Sequence, residues 1–267
     1  MQLWLAYTEP ISIRSGSRSI AKPYGVTFAT LVLVFLTAVL PATAQNTRID
    51  SFEAAKKRAP QIYIEHPEEF YCGCRYSGHA VDLVSCGYQP KRDVRRAARL
   101  EWEHVVPAEA FGQSFHEWRE GHPSCIDSRG KPFKGRNCAK KMAIAFRYME
   151  GDLHNLQPAI GEMNGLRSNY SMAMLEGEAR AFGACDVEIE GRKIEPRPAI
   201  RGDIARIYLY MDSAYPGRGI RSEKNRPLFD AWDRDDPVDA WECERDRRIA
   251  ALQGNHNPFV IAACGIR

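Results

Sequence analysis

Eight cysteines, at positions 72, 74, 86, 125, 138, 185, 243 and 264, all lie downstream of an apolar leader. An even cysteine count in an exported chain points to a disulfide framework. That constrains the fold more than any other feature, because cross-links let a loop-rich chain keep one shape. Sequence spacing does not choose among the many pairings four bridges allow. Zinc is a poor alternative. Cys72-Gly-Cys74 has the wrong spacing for a zinc knuckle, and no second Cys-x-x-Cys or histidine pair completes one.

The leader occupies residues 1–44. Arg14, Arg18 and Lys22 form a basic region, the apolar run from Val26 to Leu40 is short for a membrane span, and Ala42-Thr43-Ala44 is a small-x-small cleavage site. The expected mature chain starts at Gln45 and forms a single domain over 45–267. Such a chain is periplasmic or secreted, with no membrane attachment after cleavage. Removing the leader takes away its three basic residues and Glu9, leaving 34 basic against 33 acidic. A nucleic-acid partner is therefore not announced by global charge, and any attractive field must be local. Lys91, Arg92, Arg95, Arg96 and Arg99 form one such basic cluster, and a second lies between Lys131 and Lys141.

No internal repeat or low-complexity linker interrupts the chain. Ser51 to Arg58 fits a short helix with Ser51 as its cap. Ala80 to Leu83 and Leu100 to Val106 have strand patterns, and Pro107 suits the first turn of a short helix over Ala108 to Phe111. His122 to Arg136 is a loop, flanked by Cys125 and Cys138. From Cys138 to Met149 the spacing of Met142, Ala145, Phe146 and Met149 predicts one helix with one buried face. Val187 to Ile194 fits a hairpin. Asp203 to Tyr215 fits a helix with Ile204, Ile207, Tyr208 and Met211 inward, and Glu244 to Leu252 another, stopped by Gly254. The fold class is α+β, mixed helices and short strands stabilised by disulfides.

The chemistry concentrates in two segments. Glu101-Trp102-Glu103-His104-Val105-Val106-Pro107 sets an acid beside a histidine where an apolar strand stops. Neighbours on a regular strand face opposite ways, so Glu103 and His104 can share a site only if the strand ends there. About fifty residues on, Asp152-Leu153-His154-Asn155-Leu156-Gln157-Pro158 leads to Asn164-Gly165-Leu166-Arg167-Ser168-Asn169. Asparagines near turns usually serve the backbone, which suits Asn155 and Asn169. The Asn164 carbonyl is a neutral hard ligand suited to Mg²⁺ or Ca²⁺. Glu103 and Asn164 would hold Mg²⁺, His104 would deprotonate an attacking water, and Arg136, fixed beside Cys138, would neutralise a phosphate.

These residues also carry a resemblance. Cys72-Gly-Cys74, Ser85-Cys-Gly-Tyr88, Glu101-Trp-Glu-His-Val-Val-Pro-Ala108, Gly135-Arg-Asn-Cys-Ala139, Tyr148-Met-Glu150, Asp152-Leu-His-Asn-Leu-Gln-Pro158, Trp241-Glu-Cys-Glu-Arg-Asp246 and Gln253-Gly-Asn-His-Asn-Pro258 occur in order. Together they resemble the bacterial endonuclease I family, periplasmic or secreted deoxyribonucleases with a ββα-metal core. The likeness runs from about Tyr71 to Cys264. It implies sequence-nonspecific cleavage of double- and single-stranded DNA, and of RNA, to 5′-phosphate and 3′-hydroxyl ends. It also implies His104 as general base, Glu103 and Asn164 as metal ligands, Arg136 on the phosphate and Glu150 as a further catalytic acid. Mg²⁺ is the expected ion, with Ca²⁺ or Mn²⁺ as substitutes. Nonspecific binding rests on phosphate contacts, for which Lys91, Arg92, Arg95, Arg96, Arg99 and Arg167 are the candidates. Nothing requires more than a monomer. The reading from another class is a catalytically inactive DNA-binding protein on the same scaffold.

Overall fold

The computed structural model describes residues 45–177 and 179–265, which fall in one compact unit. The leader expected over 1–44 lies outside the described residues. Ser51 extends its backbone and its hydroxyl accepts from the Ala54 amide, which starts helix α1, Phe52–Arg58. A hairpin of β1, Tyr76–Ser77, and β2, Ala80–Val81, follows, then the single turn α2, Val94–Ala97. Strand β3, Leu100–His104, leads through Pro107 into α3, Ala108–Gly112, and α4, His116–Arg119. After a long loop come α5, Arg136–Met142, and α6, Ile144–Glu150. Strand β4, Leu156–Ile160, runs directly into α7, Gly161–Arg167. The strands β5, Ser171–Met172, β6, Glu188–Glu190, and β7, Lys193–Glu195, form a small sheet in the order β5-β7-β6. Helices α8, Arg201–Ala214, α9, Arg226–Asp235, α10, Ala240–Gln253, and α11, Pro258–Ile261, complete the described chain.

The unit that places the site is β3-β4-α7. The two strands pair antiparallel, with Glu103 opposite Gln157 and His104 opposite Leu156, and α7 packs against both. This ββα arrangement matches the expected α+β class. Gly161 is required where β4 turns into α7: a Cβ there would sit 2.6 Å from the Arg96 carbonyl oxygen.

Several local expectations need correction. The strand expected to reach Val106 ends at His104, because Asn155 takes over its backbone: the Asn155 Oδ1 accepts from the Val106 amide at 2.7 Å and its Nδ2 donates to the Val106 carbonyl at 2.9 Å. The strand expected over Ala80 to Leu83 stops at Val81, since Asp82 caps a 3-10 turn over Leu83–Cys86. The helix expected from Cys138 to Met149 is two helices, broken at Ala143 where the backbone is extended (φ −106°, ψ 101°). The break rotates the face: Phe146 and Met149 are buried but Ala145 is exposed. The last long helix begins earlier than expected, at Ala240, through a reciprocal cap between Asp239 and Glu242. Helix α8 keeps Ile204, Ile207, Tyr208 and Met211 buried as expected. It also buries Arg206 and Tyr210 on its other side.

Four disulfides join Cys72–Cys185, Cys74–Cys86, Cys125–Cys138 and Cys243–Cys264, so all eight cysteines are paired. Among the described residues, no helix is long and apolar enough to cross a membrane.

Candidate active site

The end of β3 opens onto a cavity of about 720 Å³, whose lining includes Glu103, His104, Arg136 and Asn164. Three separate stretches of sequence supply them. The strand ends at His104, and that ending lets two consecutive residues reach one space.

His104 is 7 % exposed. Its Nε2 lies 2.8 Å from the Glu150 carbonyl oxygen, and only a donor can satisfy that acceptor. The proton therefore sits on Nε2, and Nδ1 is left with its lone pair for the cavity. Burial, reinforced by the nearby positive charge of Arg136, pushes the imidazole pKa down to about 3. The ring is neutral at any pH near neutrality. Phe52, from α1, packs on it with ring centroids 4.6 Å apart.

Glu103 is buried, and burial raises its carboxyl pKa to about 7 against the opposing pull of Arg167 and Tyr71. Its Oε1 lies 3.2 Å from Arg167 Nε and accepts from the Tyr71 hydroxyl at 3.3 Å. Asn164 sits on α7, and its Nδ2 donates to Glu101 Oε2 at 3.0 Å. A carboxylate only accepts, so this bond fixes the amide orientation and leaves the Asn164 carbonyl oxygen as the group presented to the cavity.

These donors fit a hard divalent cation. A buried carboxylate that resists ionisation is one that a cation would compensate, and a neutral carbonyl oxygen completes a typical Mg²⁺ donor pair. Among the described residues, no three His, Cys, Asp or Glu side chains form a ready-made cluster. Such an ion would keep most of its coordination for water and substrate, as Mg²⁺ commonly does.

Arg136 opens α5 directly after Gly135, whose φ of +79° turns the loop back on itself. Cys138, two residues along the same helix, is tied to Cys125. The guanidinium Nε donates to Glu150 Oε1 at 2.5 Å, and the group also lies over the Phe52 ring at 5.5 Å. Glu150 is fully buried and does not line the cavity. The expectation of a catalytic acid at Glu150 is corrected to a positioning role: its backbone carbonyl orients His104 and its carboxylate holds Arg136.

The basic residues divide. Lys91, Arg92, Arg95 and Arg99 are exposed. Their segment is anchored by Glu162, whose carboxylate accepts from the backbone amides of Lys91, Arg92 and Asp93. Arg96 lines the cavity, gripped by Glu101 through two hydrogen bonds of 2.9 and 2.8 Å. Arg167 does not belong with them. It is fully buried, donating to the Val105 and Ser168 carbonyls and pairing with Glu103, so the expectation that it contacts DNA is overturned. Asn155 serves the backbone of Val106, whereas Asn169 lines the cavity and donates to Glu109.

Sequence reasoning missed Glu101, which orients both Arg96 and Asn164. The signal was present, since Glu101 and Glu103 are two apart on a strand and share a face. It also missed Phe52 and Lys56 of α1, which line the cavity from fifty residues upstream. No local pattern marks those two.

A model of the Endonuclease I family matches residues 40–264. A periplasmic deoxyribonuclease of Aeromonas hydrophila is 43% identical over 252 residues, covering 91% of this chain and 99% of that protein. An extracellular deoxyribonuclease of the same organism is 45% identical over 232 residues, covering 84% and 93% respectively. Endonuclease-1 of Buchnera aphidicola from Acyrthosiphon pisum is 39% identical over 223 residues, covering 81% and 82%.

Proposed function

The chain belongs to the endonuclease I family, and from that premise we propose that it is an exported, Mg²⁺-dependent, sequence-nonspecific endonuclease. Its substrate is DNA, in duplex or single strands, and also RNA. The products carry 5′-phosphate and 3′-hydroxyl ends. The observation that carries the reading is the His104 hydrogen bond to the Glu150 carbonyl. It presents a neutral imidazole with a free Nδ1 lone pair to a cavity that also holds Arg136, Glu103 and Asn164.

Nδ1 of His104 takes the proton from a water attacking phosphorus, so the imidazolium forms as the new P–O bond does. A pKa near 3 makes a weak base when no substrate is bound. The phosphodiester's negative charge offsets the field of Arg136 and raises the basicity of His104 when substrate is bound. Arg136 Nε is held by Glu150, leaving the outer guanidinium N–H groups to pair with a phosphate oxygen. Glu103 and Asn164 would hold the Mg²⁺ ion, which when bound neutralises developing charge on the phosphate and leaving oxygen.

Export is supported by four disulfides, which persist in oxidising compartments, and by relatives named as periplasmic or extracellular. Plasmid nicking tests the reading, with Mg²⁺, with EDTA and with His104→Ala. Nicking that needs the metal and is lost in the variant is the expected result. Duplex binding without cutting in every divalent metal would instead favour an inactive DNA-binding scaffold.

A further inference from the structure

A second cavity, of about 340 Å³, adjoins the catalytic one and shares His79, Leu100 and Trp102 with it. The volume falls in the range of about 300–1,000 Å³ found for small-ligand clefts. Its walls differ in kind from those of the first. Pro60, Tyr63, Ile64, Pro67, Tyr76, Trp102 and Leu100 dominate, and no lysine, arginine, aspartate or glutamate lines it. The groove offers a phosphate no lysine or arginine, with Ser77 and His79 among its few polar side chains, whereas a flat aromatic group has aromatic faces to lie against.

The aromatic wall is held rigidly. Trp102 leans on Tyr63 with centroids 5.6 Å apart, and Tyr63 leans on Trp241 at the same distance. The Tyr63 hydroxyl donates to Gln157 Oε1 at 2.7 Å and accepts from Arg245 Nε at 2.8 Å. Tyr76 and His79 stand on the β1–β2 hairpin, which is joined to β3 where the Leu100 amide donates to the His79 carbonyl. Ile64, on the rim, is 72 % exposed.

We propose that this groove is a base-stacking subsite: it receives an unpaired nucleobase of the same strand whose phosphate lies in the catalytic cavity. The inference rests on the nuclease reading above. Continuity of the two cavities supports a single occupant, a backbone in the charged one and its base in the aromatic one. Paired bases in a duplex stay in their stack, and extracting one costs a few kcal/mol. Single strands, frayed ends and RNA loops need not bear that cost. The groove therefore gives the site a handle on unpaired strands that phosphate contacts alone cannot provide.

The test is competition against cleavage of a labelled DNA duplex. The competitors are a single-stranded oligodeoxythymidylate and an abasic deoxyribose-phosphate strand of equal length and charge. The base-bearing strand should compete at a concentration about tenfold lower, the scale of one base–aromatic stack. Tyr76→Ala should erase that difference without slowing duplex cleavage, and Tyr76→Phe should keep it. Equal competition by the two strands in the wild-type protein overturns the proposal, and needs no groove variant to fold. Discrimination that survives in a folded Tyr76→Ala protein also overturns it, placing the stacking elsewhere. A wild-type protein that cuts no duplex would remove the nuclease reading itself, which is a distinguishable failure.

Discussion

Two buried histidines make the most instructive comparison in this molecule. His104 and His154 each turn Nε2 toward a backbone carbonyl, at 2.8 Å to Glu150 and 3.1 Å to Asn255. Burial pushes both pKa values down, to about 3 and about 4. The difference lies at the other ring nitrogen. His104 meets a cavity of about 720 Å³ with cationic and carboxamide groups around it. His154 meets Asp246, 3.9 Å from its Nδ1, in a space of only about 10 Å³. Its surroundings are a closed polar network in which Asp152 accepts from the hydroxyls of Tyr210 and Tyr215, from Gln253 Nε2 and from the His154 amide. A perturbed pKa thus marks burial in both places, and what separates the two rings is the cavity that only His104 meets.

That comparison can be broken most directly by exchange of roles. His104→Ala should lower cleavage by about 10²–10⁴-fold, the usual contribution of a positioned general base, while thermal melting stays close to wild type. His154→Ala should do the reverse, melting earlier while its folded fraction keeps cutting. Comparable rate losses in both, measured on folded protein, would end the distinction.

Arg167→Met addresses the acid beside His104. Removing the buried guanidinium leaves Glu103 without its ion partner, and breaking a buried pair on one side costs about 3–5 kcal/mol. Urea unfolding measures the loss. A variant as stable as wild type would show that Arg167 is not the support placed here.

The pH dependence of stability sharpens the contrast next. His154 has its folded pKa at about 4, below its ordinary value of 6.5. The unfolded chain therefore takes up the proton first as pH falls. The contribution is complete above pH 6.5 and is lost on acidification toward pH 4, reaching about 3 kcal/mol. Unfolding free energies at pH 7, 5.5 and 4 should fall in that order, and His154→Gln should reduce the fall in that window, leaving the share due to His104. An unchanged slope in the variant would assign the acid sensitivity elsewhere.

The smallest effect concerns the surface. Arg95→Gln and Arg99→Gln should each reduce the log–log salt slope of DNA binding by about one, with little change in melting. Arg167 sits too deep to contribute a phosphate contact, so a folded variant there should keep the slope. A slope unaltered by both surface variants would move the DNA track off this face.

Local patterns in the sequence carried a good part of this. The cap at Ser51, the Phe146 and Met149 positions, the inward face of α8 and the stop at Gly254 follow from short-range rules, and the structure keeps them. The ending of β3 was legible only to within two residues: Pro107 signals a stop after Val106, but the Asn155 bonds to Val106 end the strand at His104. The break at Ala143 was not, since the helical spacing of Met142, Ala145, Phe146 and Met149 continues through it and only packing reveals the rotated face.

What the sequence by itself determined is the inventory: an α+β chain with paired-cysteine potential and with an acid, an imidazole, a carboxamide and a guanidinium in recurring motifs. The tertiary structure alone decided which of these meet. It buried Arg167 and made it a brace, withdrew Glu150 behind the cavity, brought Phe52 and Lys56 to it, and chose one pairing of the cysteines. The physical reason is the range of the interactions. Caps, turns and strand alternation act within a few residues, whereas desolvation, ion pairing and cavity access depend on neighbours tens of residues away, which no local spacing specifies.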